Sequence, residues 1–206
     1  MEPIVNQFKE IPTTCISDAM KGMNSLDPAI KPLQEEYKIA GRAYTVNLPA
    51  NDNLAVLKAI REAKPGDIVV IDAKGYMNNA IAGDFVVGMA QTMGLGGLVV
   101  DGVIRDSVDI KALGFPVFCR GTTVAASGKA GAGQTGVPIS CGGAPIHPGD
   151  MIVGDADGVI VIPRASEQEV LQKALDKLAK DEERARSLLG NPDAVIRYID
   201  RMLDSK

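Results

Sequence analysis

The strongest constraint on the fold is a segment between residues 68 and 119 in which apolar runs alternate with helical patterns. Residues 68–71 are apolar without alternation, which indicates a strand buried on both faces. The pattern then predicts a helix over 85–93, a strand over 97–101, a helix over 107–113 and a strand over 115–119. This βαβαβ order predicts an α/β protein with neighbouring parallel strands joined by right-handed crossovers.

The segments before this unit predict one more strand and one more helix. Residues 37–48 alternate enough to form a strand. Asp52 and Asn53 open a helix whose apolar positions Leu54, Leu57 and Ile60 recur every three residues. We therefore expect these three side chains to face the core.

The segments after it predict a hairpin and a long terminal helix. Residues 151–153 and 159–162 are apolar strands separated by a turn that ends in Asp157-Gly158, a favoured hairpin sequence. Ser166 and Glu169 have the spacing of a capping box, so a helix is expected over about 164–189. Its apolar stripe would be Leu171, Leu175 and Leu178, and a short amphipathic helix follows Pro192.

Composition limits the class of protein. A chain of 206 residues that is 46% hydrophobic can bury one sizeable core, so we expect a single domain over 1–206. The net charge is −4 and no cluster of Lys and Arg is present, which argues against nucleic-acid binding. No apolar run is long enough to span a membrane and no secretory signal is visible. Three scattered cysteines (Cys15, Cys119, Cys141) are typical of buried thiols in a reducing compartment, so we expect a cytoplasmic protein.

Several common kinds of site are disfavoured. His147 is the only histidine, and Cys and His do not occur at the short spacings of a zinc site. Residues 131–136 match G-x-G-x-x-G, but no strand precedes them and no helix pattern follows, so a turn within a loop over 127–143 is expected.

Asp84, Arg105 and Asp106 are the residues best placed for chemistry. They follow the ends of adjacent elements in the predicted sheet, where ligands of parallel sheets bind. Each has a structural alternative: Asp84 and Asp106 can be helix N-caps, and Arg105 can pair with Asp109. Together they favour a site for a small oxo-acid, since an Arg binds carboxylates and a hard cation such as Mg²⁺ needs few carboxylate ligands. The backbone amides of Gly83, Asp84, Phe85 and Val86 would face the same crevice.

The sequence Asp84-x20-Arg105-Asp106 resembles the D-x20-R-D signature of the RraA-like family. The similarity extends over nearly the whole chain, through residues 13–19, 41–46, 65–67, 100–106, 114–118, 148–150 and 157–159. The family includes the 4-hydroxy-4-methyl-2-oxoglutarate/4-carboxy-4-hydroxy-2-oxoadipate aldolases, which are class II pyruvate aldolases. It also includes proteins named as regulators of ribonuclease E activity.

The resemblance implies a swivelling β/β/α core assembled as a homotrimer or a dimer of trimers, with the active site between subunits. It implies that Asp106 holds Mg²⁺ or Mn²⁺, that Asp84 orients metal-bound water and that Arg105 contacts the pyruvyl group. It also implies that the amides of Gly83, Asp84, Phe85 and Val86 bind the oxo-acid end. A carboxylate from the long C-terminal helix of a neighbouring subunit, here Asp181, Glu182 or Glu183, would complete the surroundings of the metal.

The expected activity is cleavage of 4-hydroxy-2-oxo acids to pyruvate through an enolate, with oxaloacetate decarboxylation available to the same site. A Schiff-base mechanism on Lys74, Lys111 or Lys129 is the chemical alternative. The alternative from another class is a non-enzymatic protein that binds and inhibits a ribonuclease.

Overall fold

The computed structural model describes residues 2–204, so Met1, Ser205 and Lys206 of the expected domain 1–206 lie outside the described residues. The helices are α1 (Pro3–Glu10), α2 (Thr13–Ala19), α3 (Leu54–Glu62), α4 (Asp84–Thr92), α5 (Ser107–Leu113), α6 (Glu167–Leu188) and α7 (Pro192–Asp204), with a short 3-10 helix at Arg164–Ser166. The strands are β1 (Lys31–Pro32), β2 (Ile39–Asn47), β3 (Ile68–Tyr76), β4 (Gly97–Ile104), β5 (Val117–Thr122), β6 (Gln134–Thr135), β7 (Ile139–Cys141), β8 (Ala144–Ile146), β9 (Met151–Asp155) and β10 (Gly158–Ile162).

The central sheet confirms the predicted parallel unit. Its strand order is β1-β5-β4-β3-β2-β9-β10, with β6 beside β2. Strands β3, β4 and β5 run parallel and are joined by α4 and α5, as the alternating pattern predicts. Strand β2 is also parallel to β3 and enters through α3, so four parallel strands end at the same edge. The hairpin of β9 and β10 is antiparallel and extends the sheet beyond β2.

Three apolar clusters hold this sheet between its covering layers. Helices α3, α4 and α5 pack on one face, where Ile71, Val100 and Val117 are completely buried. The β7–β8 hairpin covers the other face over Val70 and Val99. Helices α1, α2 and α6 cover the region of β9 and β10. The result is a layered β/β/α arrangement with a long C-terminal helix, and no helix within residues 2–204 is long and apolar enough to cross a bilayer.

The face of α3 that packs on the core is displaced by about one residue from the predicted one. The buried side chains are Ala55, Val56, Ala59 and Ile60, whereas Leu54 is exposed and Leu57 only half-buried. The small Ala residues let the helix lie close to the sheet, which a spacing rule based on large apolar residues overlooks. Of the predicted apolar stripe, only Ile60 faces the core.

The start of α6 also differs from the prediction. The helix begins at Glu167, but Ser166 makes no capping hydrogen bond from its side chain, and Glu169 pairs with Lys173 instead. The predicted capping box is therefore not formed. On the stripe, Leu171 is buried and Leu178 packs against the same cluster.

Two further predictions need correction. Leu175 is 38% exposed, so it does not belong to the buried stripe of α6. The segment 127–143 is not a continuous loop, because β6 and β7 form within it. Residues 131–136 include β6, which pairs with β2, and the next element is strand β7 rather than a helix.

Candidate active site

A cavity of about 270 Å³ lies beyond the carboxyl ends of the four parallel strands. The segments that follow β2, β3, β4 and β5 each supply part of its wall, as expected for a ligand site in a parallel sheet. Its lining residues are Asn53, Ala80, Ala82, Gly83, Asp84, Phe85, Val86, Arg105, Ala126, Ser127 and Lys129. Five of the predicted site residues, Gly83 to Val86 and Arg105, are therefore brought to one cavity.

Asp84 occupies the first position of α4, and its carboxylate is not used as a cap. Gly83 is the N-cap residue and no side chain caps this helix end. Within residues 2–204, the Asp84 carboxylate has no hydrogen bond or ion pair. The structural alternative of an N-cap is therefore wrong for Asp84. The first turn of α4 leaves backbone N–H groups free, which favours an anion beside Gly83 to Val86.

Arg105 and Asp106 follow β4 directly and contact each other. Asp106 has left-handed backbone angles, with φ 57° and ψ 40°, and its side chain makes no capping hydrogen bond to α5. Arg105 Nε lies 3.3 Å from Asp106 Oδ2, and both side chains are partly exposed. The alternatives of an Asp106 side-chain cap and an Arg105–Asp109 pair are thus wrong in the described chain.

Gly83 makes this arrangement sterically feasible. A Cβ atom at this position would lie 2.3 Å from Asp106 Oδ2 and 3.2 Å from Arg105 Nε. Its backbone is extended, with φ −121°, so close approach rather than an unusual conformation requires glycine. Asp106 does not itself line the cavity, but its carboxylate lies directly against Gly83, the N-cap residue of α4.

Asn53 and Ser127 also line the cavity and were not predicted as site residues from the sequence. The Asn53 side-chain amide donates to the Ile81 carbonyl oxygen at 3.0 Å, which leaves its Oδ1 atom as an acceptor. Neither Asn53 Oδ1 nor Ser127 Oγ has a hydrogen-bond partner among the described residues, although both atoms are buried. A buried polar atom without a partner costs about 1–3 kcal/mol.

The loop that carries Ser127 is held by backbone hydrogen bonds on both sides. Gly128 N–H donates to the Asn51 carbonyl oxygen at 3.1 Å, and Asn53 N–H donates to the Gly128 carbonyl oxygen at 3.2 Å. On the other side, Ala80 N–H donates to the Ala125 carbonyl oxygen at 2.8 Å. The residues that carry the two unpartnered oxygen atoms therefore belong to a well-anchored wall.

The other candidate nucleophiles and carboxylates are placed less favourably. Burial raises the pKa of Cys119 to about 11 and that of Cys141 well above its usual value, so both thiols remain protonated. Lys74 pairs with Asp72, whereas Lys129 lines the cavity. Asp181, Glu182 and Glu183 lie on α6, and none lines the cavity within this chain.

The donor set fits a hydrated hard cation better than a metal bound by protein ligands alone. Among residues 2–204, no group of three or more His, Cys, Asp or Glu side chains could hold a metal ion. Mg²⁺ keeps several waters and needs only one or two carboxylates, and the Asp106 carboxylate supplies such a ligand. The arrangement does not fit zinc, which takes three or four protein ligands.

A family profile for RraA-like proteins, described as Aldolase/RraA, matches residues 13–161. The chain belongs to the RraA-like family. A Halalkalibacterium halodurans protein named "Putative 4-hydroxy-4-methyl-2-oxoglutarate aldolase" is 59% identical over 199 residues, covering 97% of this chain and 95% of that protein. This relative supports an enzyme of the lyase class within the RraA-like family.

Solved structures of the family share the fold. RraAS2 of Streptomyces coelicolor, described as an unusual member of the RNase ES inhibitor RraA protein family, has a TM-score of 0.80 at 28% identity, covering 90% of this chain and 96% of that chain. The RNA-processing inhibitor RraA from Thermus thermophilis has a TM-score of 0.69 at 28% identity, covering 75% of this chain and 93% of that chain. The expected α/β fold is thereby confirmed by comparison as well as by topology.

Proposed function

We propose that this protein is a divalent-metal-dependent lyase that cleaves 4-hydroxy-2-oxo acids of the 4-hydroxy-4-methyl-2-oxoglutarate type to pyruvate. The supporting observation is the unpaired Asp84 carboxylate at one cavity with Arg105, beside the free amides that open α4. An acid in the first turn of a helix also interacts favourably with the helix dipole, but that role does not require Arg105 and the free amides to meet at the same cavity. The RraA-like relative at 59% identity supports the same activity.

The substrate binds with its 2-oxo-acid end toward α4. The amides of the first turn, around Asp84 to Val86, receive the carboxylate, and the Arg105 guanidinium faces the 2-oxo oxygen. Mg²⁺ or Mn²⁺ held at Asp106 would supply positive charge beside that oxygen when the enolate forms. Arg105 stabilises the same developing charge, which is the step at which electrostatic stabilisation counts most.

Asp84 directs the movement of the C4 hydroxyl proton through a water molecule. When the C3–C4 bond breaks, its electron pair forms the pyruvate enolate, and the C4 oxygen becomes a carbonyl as its proton passes through the water to Asp84. The enolate then takes up a proton at C3 to give pyruvate. Oxaloacetate yields the same enolate when CO₂ departs, so its decarboxylation requires no additional residue. We therefore include oxaloacetate decarboxylation as a second reaction of this site.

Pyruvate release tests the proposal directly. Incubation with 4-hydroxy-4-methyl-2-oxoglutarate or oxaloacetate is expected to release pyruvate with Mg²⁺ or Mn²⁺ and to lose this activity in EDTA. Assays without protein correct for decarboxylation by the free ions. Activity that persists in EDTA, with a borohydride-trapped pyruvate adduct on Lys129, would replace the metal mechanism with the Schiff-base alternative.

The second candidate is a regulator that binds and inhibits a ribonuclease of the RNase E type. The structural relatives described as RNase ES and RNA-processing inhibitors favour it. It predicts inhibition of a purified ribonuclease by this protein and no pyruvate release from any oxo-acid. Inhibition that persists in an Arg105→Ala variant would locate such a function outside the cavity.

A further inference from the structure

Lys129 is a charged residue of the cavity wall to which the proposed function gives no task. It lines the cavity together with Asp84 and Arg105. Lys129 is exposed, and within residues 2–204 its side chain has no ion pair and no hydrogen bond. Asp106 contacts Arg105, whereas no acid of the described chain contacts Lys129. The cavity therefore contains a cation that is reachable from solvent and available to an anionic ligand.

The backbone on both sides of Lys129 is fixed to the segment that precedes α3. On one side, Gly128 N–H donates to the Asn51 carbonyl oxygen at 3.1 Å. On the other, Ala132 N–H donates to the Asp52 carboxylate at 2.9 Å, and Asp52 is only 1% exposed. These hydrogen bonds keep the loop against the cavity, so Lys129 belongs to the wall rather than to a loose surface segment.

The size of the cavity limits its occupant to one small molecule. Its volume of about 270 Å³ lies just below the range of about 300–1,000 Å³ that is usual for pockets of drug-sized ligands. In the proposed function, Arg105 and the amides of α4 take the oxo-acid end of this molecule. The Lys129 ammonium group is a point charge on a flexible stem, which suits a carboxylate whose orientation is not fixed in advance.

We propose that Lys129 binds the second carboxylate of a dicarboxylic 2-oxo acid, an assignment that rests on the proposed function and names the substrate class of that site. In 4-hydroxy-4-methyl-2-oxoglutarate this group is the C5 carboxylate, which is bonded to C4. Lys129 and Arg105 hold the two ends of one molecule, and the C3–C4 bond lies between these ends. Lys129 is thus a specificity residue that selects oxo-acids with a second carboxylate over those without one.

The test compares two 2-oxo acids of equal chain length by titration calorimetry in the presence of Mg²⁺. The terminal group is a carboxylate in 2-oxoglutarate and a methyl group in 2-oxopentanoate, so the pair isolates the second carboxylate. We expect the wild-type protein to bind 2-oxoglutarate about tenfold more tightly, because hydrogen bonds between charged groups are the stronger ones. In Lys129→Met, which keeps the stem but lacks the charge, this preference should disappear and the affinity for 2-oxopentanoate should stay unchanged.

Two further variants separate charge, amine chemistry and unspecific effects. Lys129→Arg keeps the positive charge but has no primary amine, so it should retain both the preference for 2-oxoglutarate and pyruvate release from 4-hydroxy-4-methyl-2-oxoglutarate. Lys38→Met is the matched control, since Lys38 is exposed and precedes β2 at the edge of the sheet away from the cavity. It should bind both ligands as the wild-type protein does.

The outcomes distinguish this inference from the function on which it rests. Equal binding of the two ligands by the wild-type protein, or an undiminished preference in Lys129→Met, would overturn the role of Lys129 alone. Loss of pyruvate release in Lys129→Arg with normal binding would assign Lys129 to Schiff-base chemistry instead. A wild-type protein that releases no pyruvate would overturn the lyase function, while the calorimetric comparison still decides whether Lys129 binds the second carboxylate.

Discussion

The molecule contains two sets of residues that each consist of one arginine and two aspartates. The two sets differ in how many of their side-chain atoms are hydrogen-bonded. In the first set, Asp27 and Asp101 flank Arg120, and both carboxylates are fully hydrogen-bonded. Arg120 Nη1 donates to Asp27 Oδ2 at 2.8 Å and Arg120 Nε donates to Asp101, whose second oxygen accepts from Gly142 N–H at 2.7 Å. In the second set, Asp84 has no partner, and Arg105 and Asp106 make a single contact at 3.3 Å.

The difference between the two sets lies in how far their polar atoms are already satisfied within the chain. The Asp101 side chain is 8% exposed and that of Arg120 is 18% exposed, so this pair is a largely buried connection between β4 and β5. The Asp27 side chain, at 39% exposure, joins the pair from its surface side. Backbone and side-chain hydrogen bonds lower the pKa of Asp27, the largest contribution coming from Ala29 N–H, followed by Arg120. Groups satisfied in this way have little capacity left for a ligand. In the second set Asp84 has no partner, and Asp84 and Arg105 line a cavity.

Arg105→Ala should produce the largest effect on activity and almost none on stability. Loss of one charge-stabilising donor in an active site lowers kcat by about a hundredfold to a thousandfold. The Arg105 side chain is 44% exposed, and such surface pairs contribute only about 0–1 kcal/mol to folding. Pyruvate release and urea unfolding measure the two quantities. A variant that retained wild-type activity on all oxo-acids would refute the assignment of the second set to catalysis.

Arg120→Ala should show the reverse pattern, with a large loss of stability. Removal of one partner from a buried ion pair costs about 3–5 kcal/mol, because Asp101 would remain buried without its cation. The shift in the urea midpoint at constant slope gives this value. Adding Asp101→Asn to Arg120→Ala should restore part of the loss, since the uncompensated charge is then absent. A midpoint that does not move would place this network among weak surface contacts.

The sequence predicts the sheet better than it predicts the site. Continuous apolar runs specify β3, β4 and β5 because burial on both faces leaves no other pattern, and Asp84 and Arg105 follow from the ends of these elements. Asn53 and Ser127 are separated by 74 positions in the chain, and only backbone pairing of two loops brings them together. No spacing rule describes such pairing. The polar residues Asp52-Asn53 after β2 and the glycine-rich loop after β5 were the available signals.

Gly83→Ala is a smaller perturbation. It tests whether activity needs the close contact between Gly83, at the start of α4, and Asp106, after β4. The new methyl group would lie 2.3 Å from Asp106 Oδ2, so the carboxylate must move. We expect activity to fall by about tenfold, as displaced catalytic groups lose effective alignment, while stability changes by less than about 1 kcal/mol.

Gly88→Ala, on the same helix, is the matched control. A Cβ atom at Gly88 meets no other atom within 4 Å, and replacing glycine by alanine inside a helix stabilises it by up to about 1 kcal/mol. This variant should therefore keep wild-type activity and unfold at a slightly higher urea concentration. Equal activity of the Gly83 and Gly88 variants would mean that Asp106 tolerates displacement. The close packing of α4 on Asp106 would then be a feature of the fold rather than of the active site.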